Sequence, residues 1–161
     1  MLKEMLSLLE KNARIEVTDL AALLNTDEKT VNEQIRECEE KHIIAGYHTI
    51  INWDNTNTEI VKAMIAVSST PERDQGYDHI AEIIASYPEV ASLYLVSGRT
   101  EFMLIINAAT MREIADFVAH RLAPIEGVRT TETMFILKEY KVMGELMNKG
   151  KDKPGRLLMT L

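Results

Sequence analysis

The spacing of the apolar residues changes near Ile60, and that change constrains the fold more than any single motif. Before it, apolar residues recur at helical spacing in three short blocks. After it, runs of consecutive apolar residues alternate with two further helical blocks. A helix repeats its buried face every 3.6 residues and a strand every two, so the chain needs a small helical unit followed by a mixed one. In the first part, Leu2, Met5, Leu6, Leu8 and Leu9 predict a helix that stops near Asn12. Thr18–Leu24 predicts a second, with Thr18 or Asp19 placed to cap it. Asn25 falls where a turn residue with positive φ is wanted, a conformation asparagine tolerates better than most. Asp27 then caps a third helix, whose buried stripe is Val31, Ile35 and Cys38 at i, i+4 and i+7. Three short helices with a tight turn between the last two form a helix-turn-helix pattern. The β-branched stretch Ile43–Ile51 (IIAGYHTII) reads as a strand pair, or wing, packed on those helices.

Asn52–Glu59 (NWDNTNTE) is polar and without period, and marks a linker, with Trp53 as a packing residue at the junction. Beyond it the order is strand, helix, strand, strand, helix, strand. The strands are expected at Val61–Ser68, Val90–Val96, Glu101–Ala108 and Thr131–Tyr140, and the helices near Arg73–Ser86 and Met111–Leu122. Tyr77, Ile80, Ala81 and Ile84 define the buried face of the first of these helices, and Met111, Ile114, Ala115, Val118 and Leu122 that of the second. Thr110 and Glu113 have capping-box spacing. This is the split βαβ, ferredoxin-like arrangement, so the fold class is α+β: a winged helix-turn-helix followed by a βαββαβ domain. The expected domains are residues 1–52 and 61–142, with a linker at 53–60 and a flexible basic tail at 143–161 around Lys149, Lys151, Lys153 and Arg156. Met64–Val67, Phe102–Ile106 and Met134–Leu137 are apolar on consecutive residues, so both faces of the sheet are hydrophobic while two helices cover only one. The exposed face predicts a homodimer built sheet against sheet or closer to a barrel.

The 161 residues carry 18 Lys+Arg against 25 Asp+Glu, a net charge of −7. The chain is too short for a large multidomain enzyme, and its apolar runs are too short to span a membrane. A single cysteine, Cys38, excludes an internal disulfide framework and a cysteine-rich zinc site. A cytoplasmic location is expected. The seven glycines are scattered, so no phosphate-cradling loop appears, and His42, His48, His79 and His120 have no ligand spacing. No metal, cofactor or catalytic residue is predicted.

Two constellations remain. The outward residues of the third helix are Glu28, Lys29, Asn32, Glu33 and Arg36. In a major groove, Asn32 can pair with adenine, Arg36 with guanine or phosphate, and Glu33 with a cytosine amino group. Arg14 and Lys41 are further candidates for phosphate contact. The second constellation is the turn Gly98, Arg99, Thr100 and Glu101, together with Thr131, Glu132 and Thr133. Gly98 permits a tight turn, and Arg99 and Glu101 offer opposite charges to a zwitterion. The simpler reading of that segment is an ordinary hairpin turn with a surface ion pair.

The ordered set of motifs resembles the Lrp/AsnC, or feast/famine, transcriptional regulators. The residues that carry the resemblance are Asn12–Ile15 (NARI), Leu20-Ala21, Thr30-Val31 with Ile35 and Glu39, Ile44–Tyr47 (IAGY), Gly98–Glu101 and Gly127–Thr133 (GVRTTET), spanning about residues 2–142. The resemblance implies a regulator that binds double-stranded DNA, dimerises through its C-terminal domain and often assembles further into a higher oligomer, and binds an amino acid or similar effector near Gly98–Glu101 and Thr131–Thr133. Glu101 stands where the family commonly has Asp, and Asn25 replaces a turn glycine. The third helix, Asp27–Glu40, carries six acids and two bases, a net charge of −4, where family members usually have more arginine. An alternative is therefore a metabolite-sensing interaction module with weak or lost DNA binding. An enzyme resembling the sirohaem decarboxylases is the third reading, disfavoured by the sparse histidines and acidic balance.

Overall fold

Residues 1–71 and 76–147 are described in the computed structural model. They form two compact units, the first Met1–Ile50 and the second from Ile51 onward.

In the first unit, α1 (Leu2–Lys11), α2 (Val17–Leu23) and α3 (Glu28–Glu40) enclose Met5, Leu20, Ala21, Val31 and Cys38. Full burial of an aliphatic side chain stabilises by about 1.5–3 kcal/mol, so this small cluster is what holds the three helices together. The ends of α2 and α3 follow one pattern. After α2, the Thr26 N–H reaches the Ala21 carbonyl (3.0 Å) and the Asn25 N–H the Ala22 carbonyl (3.2 Å), with Asn25 at φ 52. After α3, Ile43 N–H reaches Cys38 O (2.8 Å) and His42 N–H reaches Glu39 O (3.0 Å), with His42 at φ 53. Both are Schellman closures with a non-glycine residue in the left-handed position, where Asn and His are better tolerated than most. Asp27 caps α3 as expected, whereas the residue before α2 is Glu16, without a side-chain cap. Thr18 and Asp19 fall inside the first turn of α2, where Thr18 Oγ1 instead donates to Glu28 Oε1 (3.1 Å). The strand pair expected in Ile43–Ile51 is absent: residues 45–52 carry no regular structure, because the first unit offers no second strand to complete a ladder. Tyr47 anchors the segment by donating from its hydroxyl to Glu39 Oε1 (2.8 Å).

In the second unit, β1 (Val61–Ser69), β2 (Val90–Leu95), β3 (Phe102–Ala108) and β4 (Val128–Phe135) form one antiparallel sheet in the order β2-β3-β1-β4. Helices α4 (Asp78–Ala85) and α5 (Met111–Phe117) cover one face. The central strands are β1 and β3, so β2 is an edge strand, and the Gly98–Glu101 turn joins an edge strand to a central one. Register pairs Ile65 with Leu104 and Thr133, and Val67 with Phe102 and Thr131, on the helix-covered face. Ile80 and Ile84 of α4 and Ile114 of α5 complete that core. Thr110 Oγ1 accepts from Glu113 N–H (3.2 Å), while the Glu113 carboxylate accepts from Ala109 N–H (3.0 Å), one residue before the capping-box position. The expected second helix is divided: α5 ends at Phe117 and a π-helical turn, Val118–Leu122, follows it. Phe117 joins the core, whereas Met111 and Ala115 are exposed, Met111 because it is the first residue of the helix.

The last strand begins at Val128, three residues earlier than expected, directly after Gly127 at φ +88. A Cβ there would lie 2.8 Å from Ile80 Cδ1, so both the backbone and the neighbouring core select glycine. Past β4, β5 (Lys141–Val142) and β6 (Glu145–Leu146) form a hairpin around Met143 and Gly144, both at positive φ, the signature of a type I′ turn. The expected flexible tail is therefore structured as far as Met147, which is buried; its four basic residues lie outside the described residues. Asn52 Nδ2 donates to the Met147 carbonyl, and Trp53–Asn55 forms a 3-10 turn, so the polar segment read as a linker begins inside the second unit.

The other sheet face is uncovered among the described residues. Met64 pairs with Ile105 and Met134, and Ala66 with Met103 and Glu132, all on that face. Tyr94 opposite Met103 is 56% exposed and Met134 is 40% exposed.

Candidate functional site

Burial of Val31 and Cys38 orients α3 so that Glu28, Lys29, Asn32, Glu33 and Arg36 line one open groove along its other side. Asp27 fixes the start of the helix: its carboxylate accepts from Thr30 N–H (2.9 Å) and Thr30 Oγ1 (2.7 Å). The Thr30 hydroxyl, then the Thr30 amide, hold the Asp27 carboxyl below the usual range by favouring its charged form. Along the groove each base has a local acid. Lys29 Nζ lies 4.0 Å from Glu33 and Arg36 Nε 3.7 Å from Glu40, with the side chains 59–84% exposed. Asn32 Nδ2 folds back onto the Glu28 carbonyl (3.0 Å). Exposed pairs of the Lys29–Glu33 kind contribute a few tenths of a kcal/mol, so a phosphate or base edge displaces them at small cost. The structure does not bring Arg14 or Lys41 into this groove. Arg14 is exposed in the turn after α1, where its N–H donates to Asn12 Oδ1 (3.1 Å), and Lys41 closes α3 in a pair with Glu37. That pair's hydrogen bond and charge hold the Glu37 carboxyl low and push the Lys41 ammonium up.

The second cluster forms where β1 ends. Gly98 adopts φ +151, and the Val96 N–H closes the turn on the Glu101 carbonyl (2.8 Å). Glu101 N–H donates to Val67 O (3.2 Å), and Glu101 Oε2 accepts from Ser69 N–H (2.8 Å). That amide is the main cause of the Glu101 carboxyl lying below its usual range; burial opposes it, and Ser68 and Arg129 add to it. Val67 pairs with Phe102 on one side and Thr131 on the other, so Glu101 and Thr131 flank the same strand, about 10 Å apart at the usual strand spacing. Thr133 shares the Thr131 face one pair further in, whereas Glu132 points to the uncovered face. Arg99 is exposed and in no ion pair among the described residues; the base whose charge bears on Glu101 is Arg129, with Nε donating to Thr70 Oγ1 (2.7 Å).

Sequence reasoning missed Arg129 because it started the last strand too late, although the residue stands within the GVRTTET segment. It also missed Ser69, which is 4% exposed with an Oγ that has no hydrogen-bond partner. Serine at the end of an apolar strand gives no distinguishing sequence signal. Among the described residues no cluster of three or more His, Cys, Asp or Glu could hold a metal, and no helix is long and apolar enough to cross a membrane. His42 serves the α3 closure.

Residues 62–146 match the Lrp/AsnC ligand binding domain, and residues 2–45 match the winged helix-turn-helix DNA-binding family. The chain belongs to the Lrp/AsnC family. This Lrp/AsnC protein is 35% identical over 150 residues to the HTH-type transcriptional regulator YugG of Bacillus subtilis, covering 92% of the chain and 90% of YugG. It is 29% identical over 139 residues to the transcriptional regulator LrpA of Pyrococcus abyssi, covering 86% and 96%. In fold it is similar to the Neisseria meningitidis regulator NMB0573 in its L-Met complex, with TM-score 0.67, 23% identity, and 89% and 93% of the two chains covered. The Lrp/AsnC chain is thus a DNA-binding transcriptional regulator responsive to a small-molecule ligand, with a winged helix-turn-helix and a ferredoxin-like domain. These relatives are named as regulators, not as enzymes.

Proposed function

We propose that α3 reads double-stranded DNA through Glu28, Lys29, Asn32, Glu33 and Arg36, with Arg14 and Lys41 on flanking phosphates, while the second unit senses an amino acid in the cytoplasm. The observation that carries this reading is the open groove along α3, which gathers Glu28, Lys29, Asn32, Glu33 and Arg36 with Glu39 and the edge of Ile35, while Val31 and Cys38 are buried. The effector site takes Gly98, Arg99, Thr100 and Glu101 with Thr131, Glu132 and Thr133, extended by Ser69 and Arg129. The L-Met bound to NMB0573 supports an amino acid as the ligand class. The apolar uncovered face of Met64, Met103, Ile105 and Met134 supports a homodimer closed over the sheet.

Fluorescence anisotropy of the regulator on its own upstream DNA, across a salt series, tests the reading. Salt-dependent binding that weakens in Arg36→Ala supports it, and indifference to Arg36 overturns it. The ion pairs along α3 favour the second reading, a sensor without DNA affinity, which predicts no salt-dependent duplex binding but a thermal shift with one of the twenty amino acids. Sedimentation at micromolar concentration checks the dimer; a monomer sinks it.

A further inference from the structure

Resting on the amino-acid reading above, we infer that Arg129 receives the carboxylate of the effector and that Thr70 holds Arg129 in place to do so. The site is then selective for amino acids with a free α-carboxylate and closed to their α-amides. Register singles out Arg129. Ser68 pairs with Thr130 and Ser69 with Val128, so β4 advances two residues where β1 advances one, and Arg129 is left without a partner. This is a β-bulge, a device that re-aims a side chain and recurs beside active sites. Gly127, just before it, accepts at its carbonyl from Thr70 N–H (2.9 Å), so the two strands are tied together on either side of the irregularity. The Arg129 side chain reaches the end of β1, where Nε donates to Thr70 Oγ1 (2.7 Å).

That bond uses only one nitrogen of the guanidinium. The two terminal nitrogens make no hydrogen bond or ion pair among the described residues, and together they form the fork that grips a carboxylate through two N–H donors. Glu101 is prepared in the matching way, with Oε2 on Ser69 N–H (2.8 Å). Two opposite charges are therefore anchored on consecutive residues, Ser69 and Thr70. After the Ser69 amide, which is the main cause, the Arg129 charge adds to what holds the Glu101 carboxyl low, so the two groups lie within electrostatic reach. They nevertheless form no direct ion pair among the described residues. A zwitterion completes both, its ammonium on Glu101 and its carboxylate on Arg129. An α-amide has no negative charge and leaves the guanidinium unmatched.

Arg99, in the turn itself, is the competing base. It is exposed and bears on no acid among the described residues, so gripping a carboxylate with it costs the rotamer freedom of a long side chain. In Arg129 that freedom is already restricted by Thr70 before a ligand arrives, which favours it as the carboxylate group.

The experiment is a thermal-shift screen of the full chain, without DNA, against each of the twenty L-amino acids and its α-amide, followed by calorimetric Kd values for every probe that shifts. An acid that binds while its amide does not, with affinity about tenfold or more weaker in Arg129→Gln and changed by less than about twofold in Arg99→Gln, supports the assignment. Thr70→Val should narrow the preference for acid over amide and Thr70→Ser restore it, with unliganded melting temperatures unchanged; a merely structural threonine would not move that ratio. The Thr70 pair also covers the case in which Arg129→Gln perturbs the fold. Equal binding of acid and amide, wild-type Kd values in both Arg129→Gln and Thr70→Val, or loss of binding in Arg99→Gln alone each overturn the role of Arg129 while leaving the amino-acid reading intact. A screen in which no amino acid shifts the melting temperature overturns both.

Discussion

Helix α3 and the cluster at the end of β1 both hold charge, by different means. On α3, Lys29 and Arg36 face acids one turn along the same helix, with every partner largely exposed. At the end of β1, the Glu101 carboxylate sits on a backbone amide of Ser69, whose position is set by pairing with Val128 of β4. Side chains on a helix surface can exchange partners at little cost, so α3 is built to be re-paired by DNA. A carboxylate held by a strand amide is oriented before any ligand arrives, which lowers the ordering cost of binding.

The largest expected departure from that contrast is Gly127→Ala. It places a Cβ 2.8 Å from Ile80 Cδ1 at φ +88, behind the Thr70–Gly127 bond that ties the β1 end to β4. Thermal and urea unfolding should show a loss of about 2 kcal/mol, because strained φ and overpacking act together. Arg36→Ala comes next: anisotropy should show about tenfold weaker DNA binding and a salt slope reduced by about one. Its fold should be unaffected, since the Arg36–Glu40 ion pair that is lost is exposed.

Glu101→Gln sharpens the comparison through pH. The native Glu101 carboxyl is held low by the Ser69 amide, so its contribution is complete above the unfolded value of about 4.3 and disappears as pH falls through the lower native value. Melting temperatures of wild type and Glu101→Gln should therefore differ at neutral pH and converge in acid. Amino-acid thermal shifts should fall in the same variant. The smallest effect is expected from Glu40→Gln, which releases Arg36 from its 3.7 Å pair and removes a negative charge beside a proposed DNA-contacting base; DNA affinity should rise about twofold at low salt.

The helical stripes were legible because burial repeats with the helix: Met5, Leu20, Val31 and Cys38 are the core their spacing indicated. Asn25 was legible because few residues tolerate its φ. The strand pair read into Ile43–Ile51 was not, since β-branched composition reports fitness for a sheet and not the presence of a partner strand. The same limit displaced β4. Val128-Arg129-Thr130 looks like the end of a turn by composition, and only pairing of Val128 with Ser69 makes it strand. Arg129 was lost from the candidate site with that boundary.

From its own sequence this chain determines its two-part architecture, its α3 reading face and its surplus of acid, because period, capping and charge are local properties. Tertiary structure decided which groups meet. The Glu101 carboxylate finds the Ser69 amide 32 residues away, Arg129 replaces Arg99 as the base whose charge bears on it, and Glu89 is drawn to Arg121 beside a cleft that no motif announces. These contacts depend on strand register, and register is set by how the sheet packs under α4 and α5 rather than by neighbours along the chain.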